Sequence, residues 1–197
     1  MKPTGPEIQD IVNQVHELTS AYLIWWEIGD AGKRDKYGAA IQGYPYFFLG
    51  VAGSLLLSIC IIPHRLFDTD PRVISIPKLV KNLESTDSRL SSEISDKIRL
   101  NEGLLKKFVV LRNNFFAHRN ASLTPERAFA LANIAPGEMQ TFLAFVQDVA
   151  ATLSGVEGTN SKELMLETFQ VFGVEAVQQT EEVIGHIVRS LSHSTND

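Results

Sequence analysis

The stretch "YPYFFLGVAGSLLLSICII", Tyr44–Ile62, decides how the chain is read. Its nineteen residues hold no charge, and a helix of that length just crosses the hydrocarbon of a bilayer. Other features favour a soluble solution. Gly, Pro and Ser interrupt the run, so the helix proper begins near Tyr46 and stops near Pro63. The flanks "KRDKYG" and "PHRLFD" lack the one-sided basic excess that orients a membrane span. A helix that is apolar on every side also fits the centre of a bundle. The expectation is a buried core helix in a protein with no membrane partner.

The neighbouring segments are helical too. Ile8, Ile11, Val12, Val15, Leu18, Tyr22 and Trp25 recur at helical spacing, with Thr4 and Pro6 as start signals. Past the apolar run, "DTDPRV" reads as a turn. Ser75 and Pro77 start a short helix through Leu83, and Leu90, Ile94 and Ile98 continue at i+4. After Gly103 come Leu104, Leu105, Phe108, Leu111, Phe115 and Phe116. Thr124 and Pro125 open another helix, and Pro136 opens one that ends near Gly155. Ser161 caps a last amphipathic stretch that breaks at Gly173. The longest alternating segment is only "RVISI", so strands are not expected. The predicted class is all-α, a single-domain helical bundle of about six helices. Residues 1–197 form the domain, with a core over about 8–150 and a C-terminal helix at 161–193. A hydrophobic content of 44% with eleven Phe suffices for one such core.

The net charge of −5 is unevenly spread. Residues 97–127 carry seven basic side chains against two acids, whereas residues 128–197 carry nine acids against two bases. The balance excludes a generic nucleic-acid binder. The basic strip either attracts phosphates or is neutralised inside the fold by the acidic tail, and charge alone leaves both open. The single Cys60, in an apolar run, predicts a buried thiol, a reducing compartment and a cytoplasmic protein. "MKPTGPEIQD" has no apolar segment of the signal-peptide kind.

Most chemical signatures are missing from the sequence. It has no phosphate-binding Gly-rich loop, no dinucleotide fingerprint and no nucleophile elbow. No Cys/His cluster suggests zinc, so neither metal nor cofactor is expected. His64 and Asp68 stand at i,i+4 and read as a helix-end charge pair. One constellation stands apart: "LRNNFFAHRN", Leu111–Asn120. Arg112 offers a planar fork for a phosphate and its transition-state charge. Asn113 can orient that phosphate, and His118 can move a proton on or off a ribose hydroxyl. Six residues of helix turn about 600°, so Arg112 and His118 point roughly 120° apart and lie about 9 Å apart along the axis. A helix ending near Ala117, or a second copy of the chain, would close that gap. The alternative is that Arg112 pairs with a carboxylate while His118 caps a helix C-terminus.

"LRNNFFAHRN" resembles the Arg-polar-x4-His motif of the HEPN superfamily, small helical proteins that include many ribonucleases of toxin–antitoxin and phage-defence systems. The order of segments resembles the AbiU-type abortive-infection branch: a Trp-bearing first helix, an apolar second helix running into "HRLFDTD", a short "SIPKLV" helix, then the motif. The similarity covers about residues 8–150. It implies a homodimer with the two motifs across a cleft, metal-independent cleavage of an RNA substrate, and a possible antitoxin or defence-system partner. By that resemblance Arg112, Asn113 and His118 are catalytic, and Arg119, Arg65 and Asp68 are weaker substrate-binding candidates. The alternative is a non-catalytic helical interaction or dimerisation module of the same fold.

Overall fold

The computed structural model describes residues 2–117, 125–157 and 161–194. The class is all-α, as expected, with no strand among the described residues. Nine α-helices are described rather than about six: α1 (Gly5–Gly29), α2 (Arg34–Gly43), α3 (Pro45–Leu66), α4 (Ile76–Leu83), α5 (Ser88–Leu100), α6 (Glu102–Ala117), α7 (Pro125–Ala132), α8 (Pro136–Ser154) and α9 (Lys162–Ser194).

Helix α1 is the central post, with α3 on one side and α8 and α9 on the other. Its start follows the sequence signals: Glu7 folds back to accept the Thr4 backbone N–H at 3.0 Å, satisfying a donor that the first turn leaves free. Its apolar stripe, Ile8, Ile11, Val12, Val15, Leu18 and Tyr22, is buried. Ser161 caps α9 as expected, accepting the Leu164 N–H at 3.2 Å. Between α7 and α8, Asn133 takes a φ of 53°, a conformation that Asn tolerates better than most residues, and so reverses the chain.

Three expectations are corrected. Helix α9 does not break at Gly173. A Cβ there would meet Leu23 Cδ1 at 2.9 Å, so the missing side chain lets α9 press onto α1 rather than interrupting it. Pro63 lies inside α3, which runs on to Leu66. Lastly, α3 is a core helix over only half its length. Leu56, Ile59, Cys60, Ile62 and Leu66 are buried, whereas Tyr46, Phe47 and Leu49 are 87%, 57% and 72% exposed. Among the described residues α3 is the one helix long and apolar enough to cross a membrane. A crossing would strip its second half from α1 and α6. Cys60 is buried as predicted, and burial pushes its thiol up to about 12.

Candidate functional site

The site is assembled by an aromatic cluster. Phe67, just past the end of α3, and Phe108 of α6 both pack on α8. Phe108 lies 4.1 Å from Phe142 between ring centroids, and Phe67 stacks on Phe145 at 5.6 Å. Phe67 is three residues beyond His64, and Phe108 is one helical turn before Arg112. The rings therefore set the end of α3 against the middle of α6. Leu111 is fully buried in the same layer, which leaves Arg112 half-buried at its edge and Asn113 exposed.

Arg112 donates through Nε and Nη2 to the side-chain oxygen of Asn113, at 3.1 and 2.8 Å. Among the described residues no carboxylate pairs with it. Among the described residues, the partner of Arg112 is thus a neutral amide and not a carboxylate. Other cations of the basic strip are neutralised. Lys97 binds Glu93 at 2.9 Å and Asp148 at 2.7 Å, Lys106 binds Glu102 at 2.7 Å, Lys107 binds Glu138 at 2.5 Å, and Arg99 binds Asp96 at 3.1 Å. For these residues the fold favours neutralisation over an open phosphate track. Two of the acids, Glu138 and Asp148, come from the acidic C-terminal part of the sequence.

His64, near the end of α3, is a residue that sequence reasoning set aside as a helix-end pair. His64 Nε2 stands 3.8 Å from Asp68 Oδ2, beyond hydrogen-bonding distance. Its imidazole is held below the ordinary pKa, first by burial and then by the Arg112 cation, with Asp68 partly offsetting both. The i,i+4 spacing to Asp68 was the available signal; the influence of the Arg112 cation depends on helix packing and was not. Asp68 is positioned by its own turn, its Oδ1 accepting the Asp70 N–H at 2.8 Å. Arg65 is exposed, and no ion pair holds it among the described residues. His118 and Arg119 lie outside the described residues, as does the Thr124 cap.

Two clefts, of about 410 Å³ between α1, α3 and α9 and about 690 Å³ between α1, α8 and α9, contain none of Arg112, Asn113, His64 or Asp68. Two families of observation thus meet at one place: a helix bearing "LRNNFFA", and an Arg-Leu-x-Asp turn packed against it. The chain matches the HEPN_AbiU2 family model, described as AbiU2, over residues 6–160. It belongs to the HEPN AbiU2 family. The matched span runs from α1 through α8 and stops before α9. No curated protein and no solved structure matches the chain.

Proposed function

We propose that this AbiU2 chain is a metal-independent endoribonuclease of a phage-defence or toxin–antitoxin system, acting on RNA at a cleft shared by two copies. The observation that carries this reading is Arg112. Its guanidinium is oriented by a neutral amide and, among the described residues, is cancelled by no acid, which would leave its charge available for a phosphate. Cleavage would proceed by attack of the substrate's own 2′-hydroxyl on phosphorus, with His118 as a proton-transfer group and Arg112 stabilising charge on the phosphoryl oxygens. The products would be a 2′,3′-cyclic phosphate and a 5′-hydroxyl.

The roughly 120° between Arg112 and His118 on a straight helix supports a homodimer in which each site draws on both motifs. Arg119 and Arg65 would add phosphate contacts, and an antitoxin or other partner would restrain the activity. Growth of cells expressing wild type beside His118→Ala tests the reading. Wild type should arrest growth and the variant should not; equal growth of the two would contradict it.

The exposed apolar end of α3 favours a second reading, a non-catalytic interaction module. It predicts stable association without RNA cleavage.

A further inference from the structure

The cleft of about 690 Å³ between α1, α8 and α9 falls inside the range of about 300–1,000 Å³ usual for small-molecule sites. It is separate from the Arg112 site, since neither Arg112 nor Asn113 lines it. Its walls are helices rather than loops. Gly173, where α9 presses onto Leu23 of α1, is part of the lining.

The lining has a consistent chemistry. Among the described residues no charged side chain lines the cleft. Four glutamines do: Gln140 and Gln147 from α8, Gln170 and Gln178 from α9. Each amide offers two donors and an acceptor. Among the described residues one hydrogen bond engages these amides, from Gln147 Nε2 to the Thr19 hydroxyl at 3.1 Å. Helix α1 adds two rings with centroids 6.1 Å apart, Trp26 at 42% exposure and Tyr22 at 3%. The Tyr22 hydroxyl is buried and has no hydrogen-bond partner among the described residues. Burial raises its pKa, so it stays a donor. A buried hydroxyl without a partner weakens a fold, and an acceptor atom of a ligand deep in the cleft would supply one. The smaller cleft, between α1, α3 and α9, is different. Its Ser20 and Thr180 hydroxyls are spent on the carbonyls of His16 and Ala176, at 2.9 and 2.7 Å, and most of its lining is Phe and aliphatic.

We propose that the cleft between α1, α8 and α9 binds an uncharged nucleoside. The face of a nucleobase stacks on an exposed indole such as that of Trp26. The edge of the base carries donors and acceptors in a fixed pattern, which a glutamine amide meets two at a time, as with adenine. The glutamines stand seven and eight residues apart on their helices, about 10–12 Å along each axis. That span exceeds a single base and leaves amides over for the ribose hydroxyls. A phosphate in the cleft would lose water and meet no cation, so the nucleoside is preferred to its nucleotide. The proposal is independent of the ribonuclease reading.

The test is calorimetric titration of the full chain with adenosine, guanosine, cytidine and uridine in turn, and with the 5′-monophosphate of any that binds. Wild type, Trp26→Ala and Tyr22→Phe are compared. At least one nucleoside should bind one to one, and more tightly than its monophosphate. Trp26→Ala should weaken that binding about 5–100-fold. Tyr22→Phe should weaken it about 2–10-fold, and without ligand should melt no lower than wild type, since it keeps the ring and removes the unpaired hydroxyl. If Trp26→Ala fails to fold, Tyr22→Phe carries the comparison. No binding of any of the four nucleosides overturns the proposal. So does binding equal to wild type in both variants, or a monophosphate that binds more tightly than its nucleoside.

Discussion

Two charged clusters flank α3, and they are built on opposite principles. Near its beginning the Glu27 carboxylate of α1 is buried, with a side chain only 6% exposed, and accepts hydrogen bonds from Lys33 Nζ and the Tyr37 hydroxyl. Glu181 of α9 joins from outside, 3.4 Å from Lys33 and 3.0 Å from Lys36. Burial, then the Glu27 carboxylate, pushes Tyr37 ionisation well above its usual range. Each charge there has an opposite partner, so α1, α2 and α9 are tied together. At the other end, Arg112 is held by an amide and His64 faces a carboxylate that it does not touch. The first cluster spends its charge on architecture. The second holds a half-buried cation oriented by an amide and, near the end of α3, an imidazole with a lowered pKa, groups of the kind the proposed phosphate chemistry would use.

Variants can break this contrast in order of size. Phe142 is fully buried between the rings that hold both sides of the candidate site. Phe142→Ala should cost about 3–5 kcal/mol in denaturant unfolding and should lower activity through misplacement of Arg112 and His64. Glu27→Ala should cost about 3 kcal/mol, the lower end for a broken buried pair because the Lys33 side chain is 31% exposed. The loss should appear as faster amide exchange in α9, and unchanged exchange there would deny the tie. Arg112→Ala should shift stability by under about 0.5 kcal/mol while abolishing cleavage, since the side chain sits at the edge of the core.

The smallest effect is a pH dependence. His16 packs against the rings of Phe169 and Phe172, at 4.5 and 4.6 Å, and burial lowers its pKa. His64 is lowered as well. An unfolded imidazole titrates near pH ~6.5, so the unfolded chain binds more protons below that value and stability falls as pH drops from there through the folded values. The depressed carboxylates Glu93, Glu138 and Asp148 lose their contribution only lower, as pH falls through their folded values. The melting temperature should therefore decline between about pH 7 and 5, and His16→Phe should flatten that decline.

Much of this was legible in the chain, and the misses share a cause. The caps at Thr4 and Ser161 and the stripe of α1 are local patterns, read from spacing alone. The helix α2 was missed because, among its described side chains, "RDKYGAAIQG" buries only Tyr37 and Ala40, and its place depends on the distant Glu27 and Glu181. Gly173 read as a break because Gly is a poor helix former, yet close approach of Leu23 gives it a packing role. Both halves of α3 are rich in apolar residues, so only the fold reveals that neighbours cover the second half. The motif Arg112-Asn113 was visible from residue type; the joining of the end of α3 to α6 through the rings of α8 was not. The extent of the family match, residues 6–160, agrees with the order of segments read across 8–150.

The most direct measurement of the central claim is cleavage of two matched oligonucleotides by the wild-type chain in excess chelator, one all-RNA and one with a single 2′-deoxy sugar at the cleavage position. The account predicts that the RNA is cut to a 2′,3′-cyclic phosphate and a 5′-hydroxyl, that the 2′-deoxy substrate is inert, and that Arg112→Ala and His118→Ala cut neither. Cleavage of the 2′-deoxy substrate, or cleavage only when magnesium is added, would contradict it.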